Sequence, residues 1–224
     1  YVTYHYGKRG NTAIEIQKKF HTNKYLEDQQ HRMSGEPGKA IADDAIEFLK
    51  NGRQGKPFFM YLAFAEPHDP RVAAPRYMAR YKRENIPLPK NHMPVHPFDN
   101  GEMTVRDELL APWPRTPEVV REHLHDYYAV ITGLDENIGR ILAELTRQGL
   151  DRNTIIIYSA DHGLSIGSHG LFGKQSLYED SIKPPLIITG PGIRAWKTVA
   201  LVYLMDLFPT AVELAGGTVP QGLD

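Results

Sequence analysis

Residues 154–163 read Thr154-Ile155-Ile156-Ile157-Tyr158-Ser159-Ala160-Asp161-His162-Gly163. A β-branched, apolar run stops abruptly at a carboxylate, an imidazole and a glycine. Its length and composition predict a buried strand. Upstream, Val120, Leu124, Tyr127, Ile131, Leu134, Ile138, Leu142 and Leu145 step by three and four, which predicts one long helix with an apolar stripe. Thr116 suits its N-cap, Pro117 its first position, Glu118 its first turn and Gly149 its C-cap. Downstream, Pro185-Leu186-Ile187-Ile188-Thr189 predicts a further strand closed by Gly190-Pro191-Gly192, and residues 206–215 a last helix capped by Asp206 and stopped by Gly216.

The same grammar holds towards the N-terminus. Residues 39–51 place Ile41, Ala45, Phe48 and Leu49 on one helical face, with Gly52 as a stop. Residues 57–65, Pro-Phe-Phe-Met-Tyr-Leu-Ala-Phe-Ala, predict a strand buried on both faces. Strand, crossover helix and strand define a parallel sheet flanked by helices, an α/β fold in one domain. Residues 66–116 interrupt it with little periodicity and many prolines. A connection of that length is uncommon unless it is functional or disordered.

The totals exclude several function classes. Lys and Arg number 26 against 27 Asp and Glu, so the chain lacks the basic excess of a general nucleic-acid binder. With 41% hydrophobic residues a folded core is expected. No cysteine is present, which removes disulfides, thiolate metal sites and a Cys nucleophile from these 224 residues. No stretch approaches the roughly 20 apolar residues of a membrane helix.

Ligands of open α/β sheets bind beyond the carboxyl ends of the strands. Two predicted strands end in chemically capable residues: Glu66-Pro67-His68-Asp69-Pro70 and Asp161-His162-Gly163. Asp161 and His162 form half of a divalent-metal site, a hard oxygen beside an imidazole, or else a turn residue and a surface histidine. His68, between stiffening prolines, is a general acid or base or a polar strand cap. Lys174, in a Gly-rich loop, is an oxyanion ligand or a solvated lysine, and Lys8 in Gly7-Lys8-Arg9-Gly10-Asn11 is a further anion-binding candidate. His169 has no evident role, Asp135 reads as a partly exposed structural carboxylate, and Tyr127-Tyr128 as core. Arg71, Arg76, Arg80, Lys82, Arg83 and Lys90 make residues 71–90 basic, which is either a solvated face or a means of steering an anionic substrate.

Taken in order, these segments resemble the sulfatase family of the alkaline phosphatase superfamily. The resemblance is carried by Gly7-Lys8, Pro67-His68-Asp69-Pro70, Gly133-Leu134-Asp135 with Ile138-Gly139-Arg140, Ser159-Ala160-Asp161-His162-Gly163, Gly173-Lys174 with Tyr178-Glu179, Pro185-Leu186-Ile187-Ile188 with Gly190-Pro191-Gly192, and Asp206-Leu207-Phe208-Pro209-Thr210. It implies a three-layer α/β/α sandwich with a mostly parallel central sheet, alkaline-phosphatase-like. It also implies a sulfuric ester hydrolase acting on an aryl or carbohydrate sulfate, by way of a formylglycine nucleophile and a divalent cation, usually calcium, with Mn, Mg or Zn as other options. Asp161 and His162 would be metal ligands, Lys8 and Lys174 would bind sulfate or neutralise developing charge, and His68 would contact the sulfate or the leaving oxygen.

Two departures stand out. Gly10 occupies the position where the family commonly has His. The formylglycine motif, Cys or Ser-x-Pro-x-Arg, and the early Asp pair are absent from these residues. Residues 1–224 therefore read as part of a catalytic domain, with the nucleophile segment expected upstream, a C-terminal subdomain expected downstream, and residues 70–116 as an insert near the site. The resemblance further implies a formylglycine-generating enzyme as partner of the complete protein, and a periplasmic, extracellular or lysosomal setting. A phosphonate or phosphate ester hydrolase of the same superfamily is the nearest alternative. A non-catalytic anion- or carbohydrate-binding module is the alternative of another class.

Overall fold

The structure is a computed structural model that describes residues 1–9, 14–26 and 29–223. Gly10, the family-atypical position, and Asn11 lie outside the described residues. The elements run β1 (Val2–Gly7), α1 (Ile14–Gln17), β2 (Thr22–Tyr25), α2 (Gln29–Met33), α3 (Lys39–Glu47), β3 (Phe58–Ala63), α4 (Pro75–Met78), α5 (Pro117–Arg147), β4 (Ile156–Ser159), α6 (Glu179–Ile182), β5 (Leu186–Thr189) and α7 (Leu207–Leu214). A wider, π-type turn at Phe48–Gly52 ends the 39–51 helix.

Strands β2, β1 and β3 form a parallel sheet in that order, with Gly7 level with both Tyr25 and Ala63. Their carboxyl ends therefore share one edge. Strands β4 and β5 form an antiparallel pair. The fold is α/β, and sequence reading located β3, β4 and β5 within two residues at each end. It did not identify β1 or β2, although Val2-Thr3-Tyr4-His5-Tyr6 is rich in β-branched and aromatic residues.

Helix α5 has the expected ends. The Thr116 hydroxyl accepts from Val119 N, and Gly149, at φ +66°, lets Leu150 N donate back to Leu145 O. Its buried seam runs through Val120, Leu124, Val130, Leu134, Ile141 and Leu145, whereas Ile131 and Leu142 face outward. The seam thus passes one residue before two of the expected positions. Asn137 lies in it and donates to the carbonyls of Pro37 and Gly133, so a satisfied amide fills a place the pattern assigned to Ile138.

Ala42, Ala45 and Leu49 pack with Ile141 and Leu145, and Phe58, Met60, Leu62 and Ile156 lie against that cluster. Strands β3 and β4 therefore rest on one helical layer. The other face of β3 is not buried as expected: Phe59 is 47% and Tyr61 50% exposed, with only Phe20 and His5 as ring neighbours among the described residues. A second core joins Ile86 and Ala111 of the long connection to Val120, Leu124, Ile166 and Phe172. Residues 70–116 are thus a packed layer over the first turns of α5. Among the described residues no helix is long and apolar enough to cross a membrane.

Candidate oxyanion site at the strand ends

The parallel register of β1 and β3 sets the site. Lys8 follows β1 directly, and its N–H donates to Ala63 O. Gly7 is required there: a Cβ on it would lie 2.1 Å from Ala63 O. Lys8, Leu26, Arg32, Ala65 and His68 line a cavity of about 80 Å³ at this edge.

His68 is the centre of the arrangement. Its Nδ1 lies 2.9 Å from Asp69 O, and donation there leaves the Nε2 lone pair facing outward. Lys174 Nζ and Arg106 Nη2 each lie 3.3 Å from Nε2. Arg32 Nη2 donates to His68 O at 3.4 Å and also to Asp69 O, which pins the turn. Burial, reinforced by the charges of Lys174 and Arg106 and offset in part by Asp69, holds the His68 imidazole below its ordinary range.

The cations are held by carboxylates. Arg106 reaches Asp69 at 2.9 Å, and Lys174 reaches Asp107 at 3.3 Å. Burial alone would push the Asp107 carboxyl up, but hydrogen bonds from Arg106 and Gln175 and the charge of Lys174 bring it down to about 2. Next in sequence, Glu108 accepts from Phe172 N and from Gly173 N (2.7 Å) and pairs with the fully buried Arg115 at 2.9 Å. The Arg115 guanidinium lies over the rings of Trp113 and Phe172. Backbone donors held by a buried carboxylate fix the loop that carries Lys174.

Asp161 and His162 follow β4 as expected. His162 Nδ1 donates to Gly163 O at 3.0 Å, which leaves Nε2 free and 3.5 Å from Asp161 Oδ2. The Asp161 side chain is 81% exposed. An imidazole fixed by a backbone carbonyl, with its other nitrogen beside an open carboxylate, fits two ligands of a divalent cation. Gly163 permits the close approach of the next loop: its N–H donates to Ser181 O, and a Cβ would fall 2.0 Å from Asp180 O. His68, Asp69 and Asp107 also offer one ligand atom each within 4.8 Å of one another, but both carboxylates already carry Arg106 or Lys174.

The geometry therefore brings Lys174 onto His68 and places Lys8 in the cavity that His68 also lines. It places Asp161 beside His162, and no hydrogen bond or ion pair among the described residues joins that pair to His68. Sequence reading missed Arg32, Arg106, Asp107 and Glu108. None follows a strand, and the available hint was the charged triplet Arg106-Asp107-Glu108 within a proline-rich stretch. Two of the basic residues at 71–90 are paired with carboxylates, and a third turns inward. Arg76 pairs with Glu36 at 2.5 Å, Arg83 with Glu122 at 3.6 Å, and Arg71 turns inward to His123 at 3.2 Å. His169 stacks on Tyr178 with ring centroids 3.7 Å apart, and its Nε2 lies 2.8 Å from Asn91 Nδ2.

Cationic side chains thus gather on an imidazole at the carboxyl edge of a parallel sheet in an α/β protein. Its family follows from comparison: the chain belongs to the sulfatase family, whose model matches residues 2–217. It is 30% identical over 209 residues to the multifunctional alkaline phosphatase superfamily protein PehA of Trinickia caryophylli, covering 82% of this chain and 39% of that protein. It is 28% identical to the N-acetylglucosamine-6-O-sulfatase of Bacteroides thetaiotaomicron, covering 89% of this chain and 46% of that enzyme. In structure it resembles the phosphonate monoester hydrolase of Silicibacter pomeroyi, with a TM-score of 0.73 over 100% of this chain and 57% of that one at 22% identity. The fold is thus alkaline-phosphatase-like. The chain spans less than half the length of the curated relatives it matches.

Proposed function

We propose that residues 1–224 form the greater part of a sulfatase catalytic domain that releases inorganic sulfate from an aryl or carbohydrate sulfate ester. The observation that carries this reading is the convergence of Lys174 and Arg106 on His68 Nε2, with Lys8 in the adjoining cavity. Lys8 and Lys174 bind the sulfate and balance charge that develops on it, and His68 faces the sulfate or the leaving oxygen. Asp161 and His162 would hold a divalent cation, with calcium the family's usual ion. Such an ion acts as a Lewis acid on the ester oxygens.

The nucleophile belongs, in this reading, to a formylglycine supplied by residues outside 1–224 and installed by a formylglycine-generating enzyme. Two features support a completing segment. Strands β3 and β4 rest on the same helical cluster, yet among the described residues each pairs on one edge only. The half-exposed rings of Phe59, Tyr61 and Tyr158 also suit further packing. Residues 70–116 shape the substrate side of the site, since they contribute Arg106 and Asp107. The likeness to PehA and to a phosphonate monoester hydrolase supports a second reading, a phosphonate or phosphate ester hydrolase with the same oxyanion site.

The test is to express residues 1–224 alone and the longer protein with its formylglycine-generating enzyme, and to assay an aryl sulfate and an aryl phosphonate monoester with calcium. The expected result is metal-dependent sulfate release by the longer protein and none by residues 1–224. Faster phosphonate hydrolysis selects the second reading, and turnover by residues 1–224 alone overturns the need for an outside nucleophile.

A further inference from the structure

We propose that Asp107 is a positioning residue that holds Lys174 and Arg106 over His68 as a two-armed clamp for the anionic head of a tetrahedral ester. The inference rests on the oxyanion-site reading above and makes the 70–116 layer part of the working machinery.

Three observations carry it. Asp107 is buried to 4% exposure, and its two oxygens serve different cations. Oδ1 accepts from Arg106 Nε at 3.0 Å, while Oδ2 faces Lys174 Nζ and Gln175 Nε2 at 3.3 Å each. Next, both cations converge on His68 Nε2 at 3.3 Å. A neutral imidazole nitrogen has one lone pair, so it cannot satisfy two cationic donors, and one of them has an N–H left for an incoming oxygen. Finally, Lys174 and Arg106 reach His68 Nε2 while Lys8 and Arg32 line the adjoining cavity with His68, a gathering of cationic side chains that suits an anion.

A lysine on a four-carbon stem is flexible, and holding it in one place before the ligand arrives removes an ordering cost from binding. Asp107 does this from a segment whose next residue, Glu108, fixes the Phe172 and Gly173 amides. The carboxylate and the loop that bears Lys174 are therefore set by the same short stretch.

The proximity of His68, Asp69 and Asp107 offers a rival role for Asp107 as a metal ligand. Calorimetric titration of inorganic sulfate and of calcium into wild type and variants separates the two. By charge alone, Asp107→Asn removes a negative group near the anion and tightens sulfate binding. The clamp demands the opposite, a loss of about tenfold, the worth of a charge-assisted hydrogen bond. Asp107→Asn then has no weakening left to cause in a Lys174→Ala/Arg106→Gln background. Should Asp107→Asn fail to fold, Lys174→Ala and Arg106→Gln test the same clamp, each expected to weaken sulfate. Unchanged or tighter binding in Asp107→Asn overturns the clamp and leaves the oxyanion reading standing, whereas unchanged binding in both Lys174→Ala and Arg106→Gln overturns the clamp and the assignment of sulfate to Lys174. Absence of sulfate binding to wild type overturns both. Stoichiometric calcium binding that is lost in Asp107→Asn assigns this carboxylate to a metal and also overturns the clamp.

Discussion

The ammonium of Lys174 lies 3.3 Å from Nε2 of His68, although 106 positions separate them in sequence. One stands after β3, the other in a loop held by Glu108, so two independent parts of the fold deliver them to one point. If Lys174 balances charge that develops on the ester, Lys174→Ala in the longer protein lowers kcat by on the order of a hundredfold or more. Steady-state kinetics on an aryl sulfate check this, and an unchanged kcat returns Lys174 to the class of solvated lysines.

Asp161→Asn is expected to weaken metal binding in the longer protein, since it removes the charged oxygen beside His162 Nε2. Calcium titration followed by calorimetry reads the change directly. Gly163→Ala should produce a similar loss by another route, because its Cβ would fall 2.0 Å from Asp180 O and displace the turn. Equal calcium affinity in wild type and Asp161→Asn would remove this pair from the metal site.

The basic residues of the 70–116 layer separate into two kinds. Arg76 is tied to Glu36 and lies over the Tyr77 ring, so its charge is spent on packing. Arg106 touches His68 and Asp69. Arg106→Gln should therefore raise KM for a multiply charged substrate, and salt should shrink the difference. Arg76→Gln should leave KM as it is. A KM increase from Arg76→Gln alone would reverse this division.

This division also shows what the sequence could and could not reveal. His68, Asp161 and His162 were legible because each follows an apolar run, and a strand end fixes its successor in space. Lys8 and Lys174 could be named from their Gly-rich surroundings only as anion-binding candidates beside a solvated reading, and the family pattern supplied their roles, since nothing in a Gly-rich loop says which way a lysine turns. Arg106 and Asp107 were invisible because residues 70–116 have no period to anchor them. Their placement depends on tertiary contacts of Ile86 and Ala111 with α5, and on the Glu108–Arg115 pair. Counting charges over 71–90 left a solvated face and steering both open, and Glu36 and Glu122 of α5 pair with two of those residues, Arg76 and Arg83.

Glu108→Gln should be among the most destabilising single changes in this layer. It leaves the fully buried Arg115 without its carboxylate and weakens the hold on the Phe172 and Gly173 amides. Breaking one side of a buried ion pair costs about 3–5 kcal/mol. Urea unfolding of wild type and variant measures it, and a difference within about 0.5 kcal/mol, the range of ordinary surface changes, would show that the pair is dispensable.

Glu66 supplies the pH test. It sits two residues before His68, and its Oε2 is buried without a hydrogen-bond partner. Burial pushes its carboxyl up, while backbone N–H groups and Arg32 offset only part of that rise. The sign follows from proton binding. Below the unfolded value both states hold the proton and burial exacts no ionic penalty. As pH rises past it, the unfolded chain ionises first, so stability falls until the folded carboxyl has also ionised. Wild type should therefore lose stability relative to Glu66→Gln as pH rises above the ordinary glutamate value of about 4.3, with the difference levelling off once the folded group has titrated. The slope is the decisive quantity, since the amide can shift the level of stability by its own hydrogen bonding. Urea unfolding of both proteins across this range checks it. Parallel stability profiles would mean that the Glu66 carboxyl titrates alike in the folded and unfolded chains, and that Arg32 compensates its burial in full.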